Sequence, residues 1–218
     1  MVNGIGTGLT GAAGANGIYM DDATKYVEVS GNTVYNCDGT GMFLHHNTYV
    51  NCHDNTFYNC GKSTDVAYWG IDIVNQIPSE PIRHCRFAQN IVGSTYNTKA
   101  LLYMAHPTTN IQTELSQFGS LDTNYYLYPV STPQFYSTNW SNIFLTQSFA
   151  QWKLYSGKDS HSVLTTPTTT SDKVRFEYNA TPVNKSVTLT GTYYDAKGVS
   201  YSGTITIQPY KSLIFYKN

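Results

Sequence analysis

Asp21-Asp22, His45-His46 and Asp72 are the residues whose types and spacing bear most directly on chemistry. Two carboxylates roughly 5 Å or 6.5–9.5 Å apart, one on each side of a glycosidic bond, make a hydrolase. Asp21 or Asp22 with Asp72 is the available pairing. A lyase needs a Lys, Arg or His base and a cation for the uronate. The candidates Lys25, Lys62, Arg83, Arg86 and Lys99 are few, and none falls in line with the aspartates. An Asp/His cluster can also hold a cation. Hydrogen bonding to sugar hydroxyls and a purely structural role at polar corners are the remaining readings. Aromatic residues stand nearby: Tyr19, Phe43, Tyr68, Trp69 and Tyr103. Flat rings offer apolar faces to the CH faces of sugars; alternatively they only shield a sheet. The glycan-contacting candidates are therefore Tyr19, Asp21, Phe43, His45, Tyr68, Trp69, Asp72 and Tyr103, with no catalytic residue, metal or cofactor assigned.

A repeat must position these side chains. Ala23–Cys37 (ATKYVEVSGNTVYNC) aligns with His46–Cys60 (HNTYVNCHDNTFYNC), matching Tyr26/Tyr49, Val27/Val50, Asn32/Asn55, Thr33/Thr56, Tyr35/Tyr58, Asn36/Asn59 and Cys37/Cys60. Gly17-Ile18-Tyr19-Met20 lies over Gly41-Met42-Phe43-Leu44. A third copy runs from Gly70-Ile71-Asp72-Ile73 through Cys85-Arg86-Phe87 to Asn90-Ile91-Val92, and a fourth begins at Lys99–Met104. Each unit reads as short alternating strands divided by Gly, Asn and Asp turns. So small a unit cannot bury its apolar face alone and must stack on its next copy. The expected fold is all-β: a short right-handed parallel β-helix with a small C-terminal antiparallel β-sheet. A β-sandwich is the competing architecture, disfavoured because glycine, apolar pair and Asn-Thr-apolar turn recur in one order.

Stacking sets the expected ladders. Ile18/Met42/Ile71, Val27/Val50/Cys85 and Asn36/Asn59 should point inward. Tyr19, Phe43, Asp72 and Tyr103 should form an outward stripe on rungs about 4.8 Å apart. Cys37 and Cys60 fall within disulfide range, as buried thiols or as a bridge. Trp140 and Trp152 are expected in the core. The register fades from about Leu115. Ser148–Ser162 has room for one or two helical turns, and strand patterns resume at Val174/Phe176/Tyr178. The expected division is 1–130 for the coils, 131–171 for an irregular connection packed on them and 172–218 for the antiparallel segment.

Composition narrows the function classes. Thirteen Lys+Arg against fourteen Asp+Glu give a net charge of −1, without the basic footprint of a nucleic-acid binder. Only 12% of residues are charged, against about 25% in typical soluble proteins. No apolar run approaches the roughly 20 residues of a membrane span. Nineteen Tyr, nine Phe and three Trp supply ample surface to bury, which excludes disorder. The four cysteines have neither CxxC nor zinc-finger spacing. Met1-Val2-Asn3-Gly4 lacks a basic and an apolar leader region, so the chain is either cytosolic or cut from a longer secreted one, and the expected open first coil favours the second reading.

Gly17-Ile18-Tyr19-Met20-Asp21-Asp22 followed by Gly31-Asn32-Thr33-Val34-Tyr35-Asn36 resembles coils of secreted bacterial right-handed β-helix carbohydrate-active proteins. Gly119–Tyr126 resembles their late coil. Phe149-Ala150-Gln151-Trp152 with Gly157–Ser162 resembles the tryptophan segment that follows it, and Tyr201–Tyr210 the closing hairpin. In size and architecture the chain is similar to carbohydrate-binding module family 89, the xylan-binding modules of gut-bacterial xylanases. That resemblance implies a non-catalytic, extracellular, monomeric module holding xylan or a related β-glycan for a covalently linked catalytic domain. It implies no membrane or nucleic-acid partner. The alternatives are a small β-helix lyase or glycosidase, or a structural spacer.

Overall fold

The computed structural model describes residues 1–3, 14–61, 70–75, 81–96, 100–106, 111–128, 135–139, 143–166 and 173–217. The chain enters with β1 (Val2–Asn3) and then winds three-stranded coils. The first complete coil is β2 (Ile18–Met20), β3 (Glu28–Ser30) and β4 (Thr33–Tyr35). The second is β5 (Met42–His45), β6 (Asn51–His53) and β7 (Thr56–Tyr58). The third is β8 (Ile71–Val74), β9 (Cys85–Ala88) and β10 (Ile91–Gly93). The fourth, β11 (Leu102–His106), β12 (Gly119–Asp122) and β13 (Tyr125–Leu127), carries helix α1 (Ile111–Phe118) between its first two strands. Then come β14 (Phe135–Asn139), β15 (Ile143–Gln147), α2 (Phe149–Ser156) and β16 (Val163–Thr165). The C-terminal segment is β17 (Val174–Tyr178), β18 (Lys185–Asp195), β19 (Ser200–Ile207) and β20 (Ser212–Tyr216).

Three sheets run along the coil axis, in the orders β1-β4-β7-β10-β13-β16, β2-β5-β8-β11-β14-β15 and β3-β6-β9-β12, and β17-β20-β18-β19 form a fourth. Pairing along the coils is parallel; β15 folds back antiparallel on β14. The segment 131–171, expected as an irregular connection, thus carries β14 and β16, each of which adds a parallel strand to a coil sheet. The interior is a set of ladders, Ile18–Met42–Ile71–Leu102–Phe135 among them, and Val34–Phe57–Val92–Tyr126–Leu164 opposite. Val29, Cys52, Phe87 and Leu121 fill the third wall. No disulfide joins the four cysteines, all of them buried, so Cys37 and Cys60 stack as thiols. Burial pushes the Cys85 thiol up to about 11, which keeps it unreactive.

Two devices turn the coil corners. The first is close approach at glycine: a Cβ on Gly17 would lie 2.3 Å from Val34 Cγ1, and one on Gly70 would lie 2.6 Å from the Leu101 carbonyl oxygen. The second is a single left-handed residue, as at Ala23 and His46, at Tyr26, Tyr49 and His84, and at Asn36 and Asn59. That conformation reverses the in–out alternation, and it corrects one expected ladder. Asn36 is exposed and Asn59 half-buried. The inward amides are Asn32, Asn55, Asn90 and Asn124, four residues upstream in each coil. Asn55 Oδ1 accepts from the backbone N (2.9 Å) and Nδ2 (3.1 Å) of Asn32, Asn90 Oδ1 accepts likewise from Asn55, and Asn124 Oδ1 from Asn90.

The last coil is closed by α2. Ser148 caps it with a reciprocal bond to Gln151, and Gly157 ends it in the left-handed conformation. Trp152 is fully buried, as expected, and stacks on Phe135 at 5.7 Å. Trp140 lies outside the described residues. The antiparallel sheet packs on the outer face of β4 and β7, where Tyr58 and Phe176 stack at 4.6 Å and Tyr35 meets Tyr178 at 4.8 Å. Among the described residues no helix is long and apolar enough to cross a membrane.

Candidate functional site

The coils have three outer faces, and their chemistry differs. One is covered by the antiparallel sheet. The face of β3, β6, β9 and β12 carries Glu28, Asn51, Arg86, Ser120 and Asp122, a polar surface. The face of β2, β5, β8, β11 and β14 carries Tyr19, Phe43, Asp72, Tyr103 and Tyr136 in register. The stripe is therefore real in register and one rung longer than expected. Tyr136 escaped the sequence because the repeat fades before it.

Exposure divides this stripe. Tyr19 is 45% exposed and Phe43 partly exposed, and their rings stack at 4.9 Å with planes 10° apart. Offset stacking at that separation leaves part of each ring face uncovered. Asp21 and His45 flank the pair: the Tyr19 hydroxyl lies 3.4 Å from His45 Nδ1, as does Asp21 Oδ1. The bond from the Asp22 backbone N–H holds the Asp21 carboxyl below its usual range, helped by the Tyr19 hydroxyl. Partial burial and that carboxylate push the Tyr19 phenol up to about 12. Tyr19, Asp21, Phe43 and His45 thus stand together at one solvent-facing corner.

Asp72 and Tyr103 do not join them. Asp72 is only 5% exposed, and one of its oxygens accepts from Thr40 Oγ1 at 2.6 Å. Contrary to expectation, it offers a ligand almost no surface. Tyr103 is half-buried, and burial with the neighbouring Asp72 charge pushes its phenol up to about 12. Tyr68 and Trp69 lie outside the described residues.

Asp22 approaches the same corner. Its Oδ1 lies 2.8 Å from His45 Nδ1 and 3.9 Å from His46 Nδ1. A second aromatic row follows the next corner: Tyr26 stacks on Tyr49 and Tyr49 on His84, each at 4.9 Å. Tyr26 is 78% exposed and Tyr49 46%. The Tyr26/Tyr49 match in the repeat signalled this row, but a repeat does not tell surface from core. Hollows lie elsewhere: one of about 620 Å³ beside Phe149, Lys153 and Leu154, and one of about 370 Å³ between the coils and the antiparallel sheet near Asp54, Asp195 and Lys211. Neither contains a stripe residue. An extended polymer can lie across a flat sheet face, so a hollow is not required for it.

Residues 6–111 match the family model described as "Right handed beta helix region". Neither the curated proteins nor the solved structures yielded a match. The coils are those of a right-handed parallel β-helix, with a small antiparallel sheet added at the C-terminal end.

Proposed function

We propose that the chain is a non-catalytic carbohydrate-binding module that holds a plant cell-wall polysaccharide, xylan, outside a bacterial cell for an attached glycoside hydrolase. The observation that carries the reading is the exposed Tyr19–Phe43 stack with Asp21 and His45 beside it. Ring faces take the CH faces of a sugar, and carboxylate and imidazole take its hydroxyls. The burial of Asp72 favours binding over turnover. Asp21 and Asp22 lose the partner across the scissile bond that a hydrolase needs. Affinity is modest, because a sugar gains little over its contacts with water.

The test is isothermal titration of the chain with soluble xylan and xylo-oligosaccharides, alongside a reducing-sugar assay. Saturable binding without product release supports the reading. Product release that disappears in Asp21→Asn would replace it with a glycosidase or lyase, and neither binding nor release would leave a spacer.

A further inference from the structure

We propose that Asp22, His45 and His46 form a binding site for a divalent transition-metal ion, with zinc as the best fit. In an extended strand neighbouring side chains point to opposite faces, so adjacent histidines are normally separated by the sheet. Here β5 ends at His45, and His46 turns through a left-handed φ of 53°. The two rings converge, with centroids 4.0 Å apart. Ala23 takes the same conformation one coil earlier, at φ 58°. The corner therefore belongs to the fold, and the second coil adds imidazole to it.

The preceding coil supplies the carboxylate. Ligand atoms of Asp22, His45 and His46 all lie within 4.8 Å of one another. Zinc bound at about 2.0–2.1 Å in a tetrahedron sets its ligand atoms about 3.3 Å apart. The 2.8 Å and 3.9 Å spacings from Asp22 Oδ1 to the two imidazoles fall on either side of that value. Small rotations of the exposed Asp22 complete the geometry. Two imidazoles and one carboxylate suit zinc, copper or nickel, whereas calcium and magnesium take oxygen ligands. His46 is only 2% exposed and forms the fixed wall of the site, while Asp22 faces solvent. Asp21, with Oδ1 3.4 Å from His45 Nδ1, or a water can provide the fourth ligand. The site shares His45 and Asp21 with the glycan reading, but none of its geometry depends on a sugar, and zinc titration without glycan tests it alone.

The test is calorimetric titration of the chelator-stripped chain with ZnCl2, with Co²⁺ as a spectroscopic probe. One saturable equivalent is expected, together with the visible absorption of low-coordinate cobalt. Asp22→Asn and His45→Ala should each weaken zinc binding by about tenfold or more, with unchanged circular dichroism. His46→Ala removes a buried ring and risks the fold, so the decision rests on the first two variants. Zinc held instead by the outlying His53, His84 or His161 would survive both substitutions. That result, or no saturable binding at all, overturns the proposal.

Discussion

The indole Nε1 of Trp152 donates to Asp159 Oδ2 at 2.8 Å, fully inside the closed end of the coil stack. The Tyr126 hydroxyl, Ser162 Oγ and Asn124 Nδ2 donate to the same carboxylate. Burial nevertheless outweighs these donors and lifts the carboxyl from 3.8 to about 6. A raised folded-state pKa means that the native form prefers the proton. The stabilising contribution is complete below about 3.8 and is lost as pH rises through about 6. Denaturant unfolding should therefore show a loss of about 1–2 kcal/mol between pH 5 and 7.5 in the native sequence. Asp159→Asn, which cannot ionise, should lack that part of the slope. Equal slopes for the two proteins would show that Asp159 does not titrate in this window.

Tyr19→Ala and Phe43→Ala should each weaken xylan binding by about 1–2 kcal/mol without unfolding the protein, because both rings lie outside the coils. The double variant should lose less than the sum, since each ring already covers part of the other. Tyr26→Ala and Tyr49→Ala serve as controls on the neighbouring corner. If only those two abolish binding, the glycan lies on the second aromatic row.

Asn55→Ala should cost about 3 kcal/mol in chemical denaturation. It strands the Asn32 donors and removes bonds to the carbonyls of Val29 and His53. Asn36→Ala, at an exposed corner, should cost about 1 kcal/mol, mainly through the left-handed backbone it must still adopt. Equal losses would put the structural amide on the wrong side of the strand.

Hydrogen exchange should be fastest in β2 and β3, which end their sheets among the described residues, and slower through β5 and β6 towards β8 and β9. β4 is paired with β1 and should lag behind them. Uniform protection from the first coil, in a protein shown to be monomeric, would contradict this gradient.

The coil architecture was legible because the first two complete coils keep nearly one spacing, so Tyr26/Tyr49 and Val27/Val50 aligned without gaps. Later coils lengthen between Met42, Ile71 and Leu102, and α1 is inserted before β12, so the period dissolves while the register persists. Tyr136 was lost for that reason. The amide ladder failed differently. Asn32/Asn55 and Asn36/Asn59 repeat equally well, and only the left-handed turn at Asn36 decides which pair faces inward. Asp72 sits where alternation put it, on the outer face, yet alternation carries no information about what covers that face.

The buried asparagines have one more property. Asn55, Asn90 and Asn124 each accept on the oxygen from the coil before, and all four amides donate from the nitrogen to the coil after, ending at Asp159. Their dipoles therefore add head to tail, with the positive end aimed at a carboxylate, as a helix N-terminus is aimed at an anion. Chains of such bonds polarise one another. The stack thus has an electrical direction: a further coil bearing Asn at this position can be inserted anywhere between Asn32 and Asn124, but not in reverse.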